Sequence, residues 1–156
     1  MSADIKILIL GIGNVLMGDE GIGVHVIKEL ESETFPKNVA LLDGGTGGFH
    51  LLEYLQQYNT VIMIDATMDN DPAGTIKVIE PKFATDFPKS LSAHDIGLRD
   101  LIETTTLLSD LPKMFLITIT VDNIQSMEMN LSPEIVKRIP SVVEKVKEIL
   151  KKLATV

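Results

Sequence analysis

Runs of aliphatic residues alternate with segments of helical periodicity along this chain, and this alternation constrains the fold more than any other feature. Four runs are of strand length and almost entirely apolar. They are "IKILIL" (5–10), "NVALLD" (38–43), "TVIMID" (60–65) and "KMFLITITV" (113–121). Strands that are apolar along their whole length are typical of a parallel sheet that helices cover on both faces.

Apolar residues recur at helical spacing between these strands. The predicted helices cover residues 20–31, 48–57, 92–108 and 132–153. Ser132 suits the N-cap of the last helix, and Pro140 predicts a kink or break within it. Strands that alternate with helices imply βαβ crossovers. We therefore predict an α/β fold, a three-layer α/β/α sandwich around a mostly parallel, twisted five-stranded sheet.

The fifth strand of that sheet is less apolar than the others. "GTIKVIE" (74–80) alternates in polarity, which predicts one antiparallel edge strand. Pro72 and Gly74 precede it and favour a hairpin with the strand at 60–65. The 156 residues contain no repeat and no linker, so we expect a single domain over residues 1–156.

Composition excludes several classes of function. The formal net charge of −8 argues against nucleic-acid binding and against docking on anionic lipid. The chain has no cysteine, so disulfides, thiolate metal sites and a cysteine nucleophile are excluded. No apolar run approaches the ~20 residues of a membrane span, and the N-terminus lacks the features of a signal peptide. We expect a soluble cytoplasmic protein with no nucleic-acid or membrane partner.

The loop after the first strand, "GIGNVLMGDEG" (11–21), begins like a dinucleotide-binding turn. Leu16 stands where that pattern requires its third glycine, and the acids Asp19 and Glu20 would repel phosphate. A nucleotide-binding protein is therefore a weak alternative. In a simpler interpretation, Asp19 only caps the first helix.

Polar residues follow each of the first three strands. They are Asn14, Asp19, Glu20, Asp43, Thr46 and Asp65. Ligands of such sheets bind outside the carboxyl ends of the strands, where these residues would gather. Carboxylates brought together repel one another unless a cation or a shared proton neutralises them. Asp43 and Asp65 have a structural alternative, because aspartates at strand ends often form Asx-turns.

"SLSAHDIGL" (91–99) adds a histidine to this group. Ser92 and Asp95 resemble a capping box, which places His94 in the first turn of a helix. A helix N-terminus disfavours the imidazolium ion, and neutral imidazole is the form that binds metal. If this helix follows the fourth strand in chain order, at 74–80, its start can lie at the same edge of the sheet. Glu20, Asp65 and His94 would then form a three-ligand site with open positions. Such a site suits a catalytic or exchangeable transition metal.

Several segments together resemble the hydrogenase maturation endopeptidases. In chain order they are "GIGNVLMGDEGIGVHVIKELE", "LLDGGTGG", "VIMIDA", "SAHDIGL" and "LSPEIV", and they span residues 7–136. The first segment is the most specific, because a strand followed by G-x-G-N, an acidic pair and G-x-G is unusual. The match is poor in the loop 66–91 and in "NIQSMEMN" (123–130), which we interpret as segments that select the precursor.

The resemblance implies a function and a site. Such proteins remove a short C-terminal peptide from the large-subunit precursor of a nickel–iron hydrogenase after nickel insertion. Carried over by motif, the metal-contacting and catalytic residues are Glu20, Asp65 and His94, with no departure at these positions. Asn14, Asp19 and Asp43 match family positions near the site. The implied partner is the [NiFe]-hydrogenase large-subunit precursor. The implied cofactor is a divalent metal, nickel first, which is resident or supplied by the substrate.

Metal-assisted hydrolysis is the mechanism that remains for a peptidase of this sequence, which has neither an H-E-x-x-H helix nor a G-x-S-x-G elbow. A divalent ion would polarise the scissile carbonyl and lower the pKa of a bound water. One of the ligand carboxylates, or Asp43, would accept the proton. The alternative is a non-catalytic chaperone that binds nickel and the precursor at the same site without cutting.

Overall fold

Five strands form a single sheet in the computed structural model of this chain, which describes residues 5–46, 48–88, 91, 98–122 and 127–154. The strands are β1 (Ile7–Gly11), β2 (Val39–Asp43), β3 (Thr60–Thr67), β4 (Ile76–Ile79) and β5 (Lys113–Thr120). Their order across the sheet is β2-β1-β3-β5-β4. All neighbouring pairs are parallel except β4 and β5, so the mostly parallel sheet with one antiparallel edge strand is confirmed.

The helices lie where the apolar spacing predicted them, with changes at their ends. They are α1 (Ile22–Leu30), α2 (Leu52–Gln57), α3 (Leu98–Leu108), α4 (Pro133–Val136) and α5 (Ile139–Ala154). Residues 18–21 form a short 3-10 turn before α1. The break expected near Pro140 separates α4 from α5, because proline fits the first turn of a helix but not its interior. No helix within the described ranges is long and apolar enough to cross a membrane.

Helices cover both faces of the sheet, which gives the predicted three layers. Neighbouring residues of β1 point to opposite faces, as the twofold repeat of a strand requires. Ile9 packs in one core cluster with Val26 of α1 and Val146 of α5. Leu10 packs in the other with Leu101 of α3, and with α2. The central strands therefore have no solvated face.

β4 pairs with β5, so the predicted hairpin between β4 and β3 is wrong. β5 lies beside β3 over eight residue pairs, from Thr60 with Lys113 to Thr67 with Thr120. Seven of the eight residues of β5 are buried, whereas the residues of β4 are partly or fully exposed. The longer and more apolar strand therefore occupies the inner position, and the half-exposed strand is left at the edge.

The chain reaches α3 by a different route from the one expected. Because β4 is antiparallel, it ends at the edge of the sheet opposite to the carboxyl ends of β1, β2, β3 and β5. After β4, Phe87 and Leu91 are both buried in the core cluster on one face of the sheet. Leu91 forms an antiparallel bridge with Thr67, at the carboxyl end of β3. By Leu91 the chain is therefore again at the edge where the acidic residues lie.

Candidate active site

The loop after β1 continues the hydrogen bonding of the sheet beyond the end of the strand. The N–H of Ile12 donates to the carbonyl oxygen of Ile64 at 2.9 Å, and the N–H of Gly13 donates to that of Gly45 at 2.7 Å. The loop is thus joined to both neighbouring strands. This anchoring fixes the 3-10 turn at the carboxyl edge of the sheet.

Close packing explains the glycines of this loop. A Cβ atom on Gly23 would lie 2.3 Å from the carbonyl oxygens of both Ile12 and Ile64. A Cβ atom on Gly13 would lie 2.3 Å from the carbonyl oxygen of Glu20. The glycines let the start of α1 and the turn before it approach the strand ends. Their role is packing, which counts against the nucleotide-binding alternative.

Glu20 and Asp65 are buried on two elements that contact each other. Glu20 lies in the 3-10 turn with 5% of its surface exposed, and Asp65 lies within β3 and is fully buried. The turn packs against β3. Oδ1 of Asp65 accepts a hydrogen bond from the N–H of Ala66 at 2.8 Å. Two carboxylates out of water at one edge of a sheet are costly unless a cation or a proton offsets their charge.

Asp65 does not end its strand, because β3 continues to Thr67. The Asx-turn alternative is therefore wrong for Asp65, which belongs to β3, the strand between β1 and β5. It is confirmed for Asp43, where Oδ1 accepts a hydrogen bond from the N–H of Gly45 at 2.9 Å. Asp43 is exposed at the end of β2.

Two further predicted residues have clear structural surroundings. Oδ1 of Asn14 accepts a hydrogen bond from the N–H of Leu16 at 2.9 Å, so Asn14 shapes the loop. Thr46 is exposed in the turn after β2. Both lie in the loops at the carboxyl edge, and their contact with a substrate stays a prediction.

His94 lies outside the described residues, as do Ser92 and Asp95 of the predicted capping box. Among the residues that the structure describes, no three His, Asp or Glu side chains are arranged to hold a metal. A third protein ligand for a metal at Glu20 and Asp65 would therefore come from outside the described residues. Leu91 is bridged to Thr67 at this edge. The prediction that His94 is the third ligand stays open.

Asp19 does not cap a helix, so that interpretation is wrong. The cap position of the 3-10 turn is Met17, and that of α1 is Gly21. Instead, Oδ1 of Asp19 accepts a hydrogen bond from the N–H of Ser132 at 2.7 Å, and Oδ2 accepts one from its hydroxyl at 2.8 Å. Ser132 is the N-cap of α4, as predicted, but its hydroxyl bonds Asp19 and makes no capping bond. Asp19 thus joins the 3-10 turn to α4.

Asp69 holds the loop between β3 and β4, a role that its sequence context did not reveal. Its Oδ1 accepts a hydrogen bond from the hydroxyl of Thr120 at 2.9 Å, and its Oδ2 lies 3.4 Å from Nζ of Lys77. Burial raises the pKa of Asp69, but the bonds from Thr120 and the Asp71 N–H, with the Lys77 charge, outweigh it and lower the pKa. The lowered pKa keeps the loop anchor ionised.

His25 of α1 lies near the Asp19 carboxylate. Burial and the charge of Lys28 lower the pKa of His25, and they outweigh the opposite influence of Asp19. Nε2 of His25 is buried and has no hydrogen-bond partner among the described residues. The ring is therefore held in its neutral form more readily than a histidine in water.

Comparison with known proteins identifies the class to which this fold and acidic edge belong. The family model described as hydrogenase maturation protease matches residues 24–149. A hydrogenase expression/formation protein HupD from Thiocapsa roseopersicina is 33% identical over 100% of this chain and 72% of that protein. The hydrogenase 2 maturation protease of Escherichia coli K12 is 30% identical over 90% of this chain and 88% of its own length.

A solved structure agrees with these relatives. The hydrogenase maturating endopeptidase HybD from E. coli superposes with a TM-score of 0.85 and 27% identity, covering 95% of this chain and 93% of that one. The chain belongs to the hydrogenase maturation protease family. It is accordingly a peptidase, and this membership favours the catalytic role over the chaperone alternative. The chain spans between 52% and 60% of the lengths of several other HupD, HupM and HoxM relatives.

Proposed function

We propose that this chain removes the C-terminal peptide from the precursor of a [NiFe]-hydrogenase large subunit by metal-assisted hydrolysis, in the cytoplasm. The observation that carries the proposal is the burial of Glu20 and Asp65 on contacting elements at the carboxyl edge of the sheet. Acids buried on contacting elements are typical of functional sites.

The donor set of Glu20, Asp65 and His94 fits a divalent transition ion, and nickel is our first choice. Such an ion would supply Lewis-acid polarisation of the scissile carbonyl and a bound water of lowered pKa. The two buried carboxylates would hold such an ion at the carboxyl edge of the sheet. One of them, or the exposed Asp43, would accept a proton from the attacking water.

The ion reaches this site in one of two ways, and each makes a different enzyme. A resident ion would make the protein an ordinary metallopeptidase. A nickel ion carried by the precursor would make the same side chains a probe for loaded substrate, so that only a finished metal centre is processed. We favour the second version, in line with the family resemblance. Elemental analysis of chelator-free protein decides: a full equivalent of tightly held metal contradicts it.

Mass spectrometry of the nickel-loaded precursor before and after incubation tests the function itself. The wild-type chain should release one C-terminal peptide. Glu20→Gln, Asp65→Asn and His94→Ala should each reduce the rate at least about 100-fold, the range seen when metal ligands or their supports are lost. Circular dichroism should show a retained fold. His50→Ala, at an exposed position, is the matched control and should process normally. Normal release by all three site variants would overturn the proposal.

A further inference from the structure

Three exposed apolar side chains lie beside the 3-10 turn that carries Glu20. Leu16, Met127 and Met129 expose 47%, 86% and 61% of their surfaces. The N–H of Glu128 donates to the carbonyl oxygen of Leu16 at 3.0 Å, and the N–H of Gly18 donates back to that of Glu128 at 2.6 Å. Residues 16–18 and 127–129 therefore run side by side. We call Leu16, Met127 and Met129 the methionine surface.

The backbone holds this surface in place. Met127 has φ +61°, a left-handed conformation that residues with a side chain adopt only rarely. Oε1 of Glu128 accepts a hydrogen bond from the N–H of Asn130 at 2.9 Å. A little further on, Ser132 is bonded twice to Asp19. The exposed methionines thus sit on a segment that is fixed at both of its described ends to the turn containing Glu20.

The chain segments around the methionine surface, residues 7–27 and 114–136, contain acidic residues but no lysine or arginine. The chain has 14 lysines and arginines, yet none falls within residues 7–27 or 114–136. These same segments contain five acids, Asp19, Glu20, Asp122, Glu128 and Glu134. Asp122, Glu128 and Glu134 are exposed. A partner that covers the methionines therefore meets the exposed carboxylate of Glu128, which stands between them in sequence, and no lysine or arginine from these two segments.

We infer that the methionine surface docks the precursor through a segment of apolar side chains flanked by lysine or arginine. Methionine side chains adapt to varied apolar partners, and carboxylates attract cationic ones. The surface is continuous with the turn that bears Glu20, so a chain bound there leads directly to the proposed site. This inference rests on the proposed function and adds the chemistry of the substrate segment.

A second copy of this chain is a poorer occupant. The commonest dimers are twofold and place the same patch of each subunit face to face. Such a dimer would bring the carboxylates of one methionine surface against those of the other, and like charges in an interface are repelled. The acidic surroundings thus favour a basic partner of different sequence.

The test uses the full chain with the nickel-loaded large-subunit precursor from the same organism. The double variant Met127→Gln, Met129→Gln should raise KM about tenfold with little change in kcat, since it removes binding made equally in ground and transition states. Glu128→Lys should raise KM and weaken its dependence on salt. Leu107→Gln is the matched control, because Leu107 is equally exposed, at 86%, but lies on α3.

Three outcomes are distinguishable. If the wild type cuts the precursor but KM is unchanged in both the double methionine variant and Glu128→Lys, the docking surface is refuted and the proposed function stands. If the wild type fails to cut, the proposed function itself fails. If size-exclusion chromatography shows a wild-type dimer that the double variant converts to a monomer, the occupant is a second copy and the inference is wrong. A synthetic leucine–lysine peptide should also inhibit processing, and its leucine–glutamate counterpart should not.

Discussion

Asp19 accepts two hydrogen bonds from one residue, Ser132, which lies 113 positions further along the chain. Both oxygens of the Asp19 carboxylate take part, and the side chain is only 2% exposed. Because Glu20 is the next residue, this pair fixes the turn that carries one of the proposed metal ligands. Asp19 and Ser132 therefore position the site without needing to touch the reacting atoms.

The first prediction concerns this pair. Ser132→Ala removes the hydroxyl donor but keeps the N–H bond, so unfolding free energy should fall by about 1 kcal/mol. Asp19→Ala removes both acceptor oxygens and leaves the Ser132 N–H without this partner, and it should cost about 2–3 kcal/mol. Urea denaturation measures both changes. Ser132→Ala should also lower kcat, because the turn that carries Glu20 is held less firmly. Ser132→Thr retains a hydroxyl and should keep kcat and stability close to the wild-type values. If Ser132→Ala and Ser132→Thr reduce kcat equally, the hydrogen bond has no positioning role.

The second prediction concerns Gly23, where α1 contacts the ends of β1 and β3. An alanine Cβ there would meet two carbonyl oxygens at 2.3 Å, so α1 must move away from the sheet. We expect Gly23→Ala to destabilise the protein by at least about 3 kcal/mol or to prevent folding. Gly45→Ala is the control. Gly45 has φ +55° but nothing within 4 Å of its Cβ position, so only about 1 kcal/mol should be lost. Equal thermal stability of the two variants would contradict this account.

The third prediction is a pH dependence of stability due to His25. Burial lowers its pKa from 6.5, so the unfolded chain binds this proton more tightly than the folded protein. The contribution to stability is therefore present above pH 6.5 and is lost as the pH falls through the folded pKa. Urea denaturation of His25→Gln should show a smaller loss of stability between about pH 7.5 and 5 than the wild type. An equal loss of stability in His25→Gln and in the wild type over this pH range would refute the assignment.

The fourth prediction concerns metal binding by the buried acids. Added Ni²⁺ should stabilise the wild type, by about 2.7 kcal/mol at a concentration 100 times the Kd. Asp65→Asn replaces one proposed ligand and should show much less of this gain. Thermal melts with and without the ion measure the difference, and an equal gain in the two proteins would contradict the expectation.

The strands and layers could be predicted because each depends on local composition. Residues 61–64 are all apolar, and a strand with such a centre is typical of the interior of a covered sheet. The pairing of β4 could not be predicted in the same way. Pro72 and Gly74 do favour a turn, but the place beside β3 was decided by β5, a more apolar strand almost 40 residues further on.

The site shows the same division between local and distant causes. Glu20 and Asp65 were selected from their places after the first strand and at the end of the third, and both are buried. Their role as metal ligands stays a prediction. Asp19 was assigned to a helix cap because its partner Ser132 is distant in sequence. The anchoring of Asp69 by Thr120 was missed for that reason too. Hydrogen bonds between distant residues leave no periodic signal.

The place of β4 in the sheet has a consequence for the order of events during synthesis. β4 has β5 as its neighbour, and β5 in turn pairs with β3. A nascent chain that stops short of Lys113 therefore lacks the strand that holds β4. The sheet is completed only after β5 has been made, so β4 waits for a strand that follows it in the chain.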